Sequence, residues 1–175
     1  MPKYDKFLKY IANKKDKFEG QEVIPISTNC SSLIKKDIFI PAKLKDPGSI
    51  CIPCDIGSRH FEKALCDLGS GVSLMPLSIA TAMGLNEFMK PIPIMLQLAD
   101  HSLVKPNGII EDLWVQVDRF IIPVDFVILD MEVDKKVPII LGRPFMATGD
   151  TVIWVNDKEV TFQINGEEAT VNCEP

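Results

Sequence analysis

From Gly48 onward, apolar and polar positions fall into short runs separated by turn residues, the pattern of β-strands. SICIPCDI (49–56), the turn GSRH (57–60) and FEKALCD (61–67) predict a hairpin whose second strand ends at Asp67. Pro53 has no N–H to give a ladder and predicts an edge strand. PLSIATAMG (76–84) predicts a short helix, with Pro76 preset for the first turn and Gly84 as its stop. IPIMLQLA (92–99) and LVKPNGIIEDLWVQV (103–117) flank the polar triplet DHS, the second run being rich in β-branched residues and broken by Pro106 and Gly108. FIIPVDFVIL (120–129) and VPIILG (137–142) are nearly continuous apolar runs, as in strands buried on both faces. GRPFMATG (142–149) predicts one or two helical turns. TVIWV (151–155), EVTFQI (159–164) and EATVN (168–172) predict three closing strands, and Asn165-Gly166 signals a type I′ turn.

The first 47 residues differ. Tyr4, Phe7, Leu8, Ile11 and Phe18 fall near helical spacing among solvated lysines, whereas Glu19–Pro47 lacks periodicity and is punctuated by prolines. The expected organisation is an N-terminal arm with a short helix over 1–47, then one domain over 48–175. With 175 residues and 46% hydrophobic content, one core is expected. The fold class is mainly β, a small closed barrel or sandwich with one or two short helices. ALCDLGSG and PIILGRPF share a design, an apolar strand running into a glycine turn and a short helix, which hints at pseudo-symmetry.

A net charge of −5 argues against direct nucleic-acid binding, which needs a basic face. No stretch approaches the roughly 20 apolar residues of a membrane span, and the start lacks the apolar core of a secretory signal, so an intracellular, cytoplasmic protein without membrane contact is expected. The five cysteines then read as free thiols. Cys51 and Cys54 form a C-x-x-C without a second pair, and on a regular strand their spacing points them to opposite faces. His60 and His101 lie in no ligand spacing, so neither metal nor cofactor is expected. Trp114 and Trp154, in alternating strands, suit core or interface.

One charged residue is costly where it stands. Asp67 leaves an apolar strand directly into Gly69, Ser70 and Gly71. An aspartate before a glycine turn can simply accept hydrogen bonds from amides one or two residues on. Its context adds a second role. CDLGSGVSLMPLSIATAMGL, followed much later by VPIILGRPFMATG, resembles the retropepsin-type aspartic protease domain of plant long-terminal-repeat retrotransposon polyproteins. The likeness runs from about Gly48 to Asn172 and is carried by the D-x-G motif together with the spaced I-L-G-R.

The resemblance implies a retropepsin-like barrel, a polypeptide substrate and a homodimer, because a retropepsin chain supplies one catalytic D-x-G, here that of Asp67, and the second aspartate must come from another copy. Asp67 is then catalytic, Gly69 and Ser70 approach the substrate, and Leu141, Gly142 and Arg143 back the catalytic loop. A flap between Leu98 and Gly108 would bring Ala99, Asp100 and His101 to the substrate, although a lone loop histidine also fits a solvated bystander. Apolar walls from Ile92 to Leu98 and from Phe120 to Leu129 suit an extended peptide.

Three positions depart from the pattern. Leu68 stands where a Thr or Ser hydroxyl ties the two catalytic loops together, Gly71 stands where a polar residue often meets the arginine, and Pro144 follows Gly-Arg as in the plant group. Two functions follow: an aspartic endopeptidase processing a retroelement polyprotein, of which this chain is expected to be a segment, or a catalytically degenerate module that dimerises or holds peptides. A redox or metal role for the C-x-x-C is the third and weakest reading.

Overall fold

The structure, a computed structural model, describes residues 41–46, 48–132 and 137–173. The helix expected near the N-terminus and most of the arm lie outside these residues. From Lys45 on, the described residues belong to one compact unit.

Six strands close a barrel: β1 (Cys51–Ile56), β2 (Arg59–Cys66), β3 (Ser73–Pro76), β6 (Gly108–Val117), β7 (Phe120–Leu129) and β8 (Ile139–Leu141), in the order β1-β2-β8-β3-β7-β6. The short β4 (Leu96–Gln97) and β5 (Leu103–Val104) pair as a separate hairpin, and β9 (Val152–Trp154), β10 (Glu159–Ile164) and β11 (Glu167–Asn172) form a three-stranded sheet. Two one-and-a-half-turn helices complete it, α1 (Leu77–Ala82) after β3 and α2 (Arg143–Thr148) after β8. The chain is therefore mainly β with a small closed barrel and two short helices, as expected.

Alternation fills the barrel. Ile52, Cys54 and Ile56 of β1 face Ala64 and Phe61 of β2 in the core, with Ile122, Val124 and Phe126 of β7 and Ile139 and Leu141 of β8. The runs expected to be buried on both faces behave so only in part. The first half of β7 alternates buried and exposed, and only Phe126–Leu129, which pairs with β6 on one side and β3 on the other, is buried throughout. Phe145 of α2 meets Phe162 of β10 edge to face, centroids 5.8 Å apart, joining the barrel to the C-terminal sheet.

Three expectations change. β1 is not a free edge, since it pairs with β2 on either side of Pro53 and with β6 at Asp55 and Ile56; Pro53 is tolerated because it falls at the β1–β2 register shift, before the β6 pairing begins, and is exposed. The opposite-face reading of the C-x-x-C stands: Cys54 faces the core with Ile52 and Ile56, whereas Cys51, out of step with them, is buried on the other face and lines a cavity with Pro53, Val171 and Asn172. Ile92–Ala99 is not one long strand, as only Leu96 and Gln97 pair. Pro76 ends β3 in extended conformation and lies just before α1 rather than inside its first turn. Among the described residues no helix is long and apolar enough to cross a membrane.

Candidate active site

Strand pairing converges on Asp67. β2 runs parallel to β8, with Cys66 opposite Leu141, and β3 runs antiparallel to β8 at Leu74 and Ile140. The loop between β2 and β3 is thereby clamped against the turn from β8 into α2. The Asp67 amide donates to the Leu141 carbonyl at 2.9 Å, and the Arg143 amide donates to the Ser70 carbonyl at 3.0 Å. Inside the loop the Ser70 amide donates to the Asp67 carbonyl at 3.2 Å, and the Ser70 hydroxyl donates to the Val72 carbonyl at 2.6 Å. The Gly142 amide donates to the buried Ser73 hydroxyl at 3.1 Å.

Gly142 is required by contact. A Cβ there would lie 2.3 Å from the Val72 carbonyl oxygen and 3.1 Å from that of Ser70. Arg143 solves the problem that Gly71 poses. Its Nη1 donates to the carbonyls of Leu68 (3.1 Å) and Gly69 (3.2 Å), so the guanidinium holds the loop backbone where a polar side chain at 71 would otherwise meet it. A Cβ on Gly71 would stand 3.3 Å from Arg143 Nη2, so the missing side chain also makes room for this placement.

The Asp67 carboxylate is half-buried, and its Oδ1 accepts the Gly69 amide at 2.8 Å. It is thus the turn acceptor that an Asp-x-Gly predicts, and it also opens into a cavity of about 540 Å³. Ile50, Leu65, Leu68, Ile153 and Val155 form the apolar part of that lining. Sequence reasoning missed Ile50, Leu65, Ile153 and Val155. For Ile153 and Val155 the signal was the apolar run 151–155, which reads as ordinary core until β9 proves to be the last described strand of a three-stranded sheet; Ile50 and Leu65 belong to the β1–β2 hairpin and carried no separate signal.

Asp67, Gly69, Ser70, Leu141, Gly142 and Arg143 therefore form one constellation. Ala99, Asp100 and His101 do not join it. They sit exposed at the tip of the β4–β5 hairpin and are not among the residues lining the Asp67 cavity. Asp100 accepts the Ser102 amide (3.0 Å) and hydroxyl (2.6 Å), and these bonds hold its carboxyl below the ordinary range. His101 takes a left-handed backbone, φ 66°, and its amide donates to Leu98. The expected apolar walls do meet in part: Ile92, Ile94, Val124 and Val127 line a groove of about 280 Å³ together with Val72 of the β2–β3 loop.

Among the described residues, four free cysteines are buried and no cluster of ligating side chains could hold a metal. Burial pushes the Cys54 and Cys66 thiols up to about 12. Trp114 is two-thirds exposed and Trp154 half exposed, so neither is core; the Trp154 indole donates to Thr161 Oγ1 at 3.2 Å.

No protein-family model matches the chain, and no curated protein matches it. Among solved structures it is similar to the retroviral protease-like domain of Ddi1 from Leishmania major, with a TM-score of 0.57 and 20% identity over 73% of this chain and 97% of that one. The fold is retropepsin-like. At this identity the likeness carries the fold alone. Within the retropepsin-like barrel, Asp67 lies where β2 leaves the closed sheet, which gives an acidic side chain a rigid base and an open side.

Proposed function

We propose that this chain is a retropepsin-type aspartic endopeptidase, acting as a homodimer with one Asp67 from each copy on extended, largely apolar segments of a retrotransposon polyprotein. The observation that carries the reading is the Asp67 carboxylate itself, braced by Gly69 and facing an open apolar cavity rather than its own core.

The chemistry explains the need for two copies. One carboxylate cannot at once take a proton from the attacking water and donate one to the peptide carbonyl. Two carboxyl groups brought close together share a proton, because ionising both places like charges side by side. The ionised member then acts as base toward the water, and the protonated member donates to the carbonyl oxygen. Clamping of the loop by Arg143 and Gly142 supports this role, since general acid–base groups must be held to a fraction of an ångström.

Leu68 favours a second reading, a module of the same fold that dimerises or holds peptides without cleaving them. It is 62% exposed and has no hydroxyl to bond across the dimer.

The purified chain and its Asp67→Asn variant, incubated at pH 4 to 6 with an octapeptide library, with and without a statine-type inhibitor, separate the two. Cleavage by the parent that the inhibitor blocks, lowered about 10²–10⁴-fold or more in the variant, upholds the enzyme. Equal, negligible cleavage by both folded proteins leaves the binding module.

A further inference from the structure

The cavity beside Asp67 has an unusual wall for a protein of net charge −5. Among the described residues that line it, Asp67 and the buried Cys66 thiol are the only ionisable groups; the rest is glycine, serine and aliphatic side chains. Leu68 and Val155 both line it while remaining 62% and 50% exposed. Among the described residues, β9, which carries Ile153, has β10 on one side and no strand on its other edge.

We infer that Leu68 anchors a self-complementary apolar contact, the Leu68 of each copy seating against Ile153 and Val155 of the other beside the paired carboxylates. The inference rests on the dimeric enzyme proposed above and names how that dimer is held. Its warrant is distance. A proton shared by two Asp67 groups needs carboxylates about 3 Å apart. Leu68 Cα lies one peptide, about 3.8 Å, from Asp67 Cα. An exposed leucine so near the axis must meet the second copy, and the surface awaiting it in the same cavity is Ile153 and Val155.

Charge selects the occupant. Two copies of an acidic protein approach most easily through a face with few charges, and this one presents only the carboxylate whose pairing the chemistry requires. Leucine at 68 is then a substitution of mechanism: an aliphatic contact takes over the tie that a hydroxyl makes in the proteins this sequence resembles. The indifferent geometry of apolar packing is acceptable because Arg143 already fixes the loop carbonyls within each chain.

Sedimentation velocity over a concentration series tests the contact, with Leu68→Asp, Val155→Asp, Leu68→Met and the control Trp114→Asp, each checked for folding by circular dichroism. Trp114 is exposed on β6 and does not line the cavity. Expected are a dimer whose dissociation constant rises at least a hundredfold in both cavity aspartates and stays within about threefold in Leu68→Met and the control. A dimer unchanged by Leu68→Asp or Val155→Asp overturns the contact, as does a parent that remains monomeric at every concentration, including one whose cavity binds only peptide. Cleavage assays on the same samples keep the two claims apart. A dimer weakened as expected but without cleavage upholds the contact and overturns the enzyme; cleavage by a dimer that Leu68→Asp leaves intact does the reverse.

Discussion

Gly142 shows how a single residue can be fixed by its neighbours rather than by its own conformation. Its φ of −83° suits any amino acid, yet a methyl group there would strike the Val72 carbonyl. Gly142→Ala is expected to lower stability by about 1–3 kcal/mol, the usual range for overpacking, read from the urea midpoint at constant slope. The same shift loosens the loop that carries Asp67, so any peptide cleavage should fall further than stability alone explains. Asp67, Gly69, Ser70, Leu141, Gly142 and Arg143 were all legible in the sequence, because each belongs to one of two short motifs. The Arg143 bonds to the Leu68 and Gly69 carbonyls were not, since backbone acceptors leave no mark on residue identity. Nor were Ile50, Leu65, Ile153 and Val155, whose place beside Asp67 depends on where distant segments end up.

Among the elements, those with the plainest local code were read best. Asn165 and Gly166 take φ of 54° and 81°, both left-handed, as a type I′ turn between β10 and β11 requires. Gly166→Ala should therefore cost about 1–2 kcal/mol in thermal or urea unfolding, the strain of placing a Cβ in that region. The three closing strands and both helices likewise followed from pattern and turn residues. Elements failed where a tertiary irregularity overrides the pattern. An extra residue in β2, two residues standing there against Pro53 alone, lets the proline sit inside a barrel. Ile92–Leu98 has strand composition, but prolines 91 and 93 keep most of it from joining a ladder, leaving the two-residue β4. The Arg119 guanidinium donates to the Glu168 carbonyl and stands 3.5 Å from Glu167, so the β6–β7 turn is tied to the C-terminal sheet by a side chain that reads as surface charge.

For the whole molecule, the buried thiols set an alkaline limit. Cys54 and Cys66 ionise near 12 when folded, because burial penalises the thiolate, against 9.0 for an ordinary thiol. Between these values the unfolded chain has lost protons that the folded chain keeps, so stability is complete below about pH 9 and declines as pH rises toward 12. Urea unfolding across that window should show a negative slope, and Cys66→Ala should reduce it by up to about 1.4 kcal/mol per pH unit, the contribution of one proton. An equal slope in both proteins would contradict burial of that thiol. The arginine brace has its own consequence at this scale. Because Arg143 grips the Leu68 and Gly69 carbonyls of its own chain, each copy of the proposed dimeric enzyme would carry a finished half-site before it encounters another. Onset of any hydrolysis after a concentration jump should then follow collision alone, second order and without a lag, so that local crowding of the chain would act as the trigger.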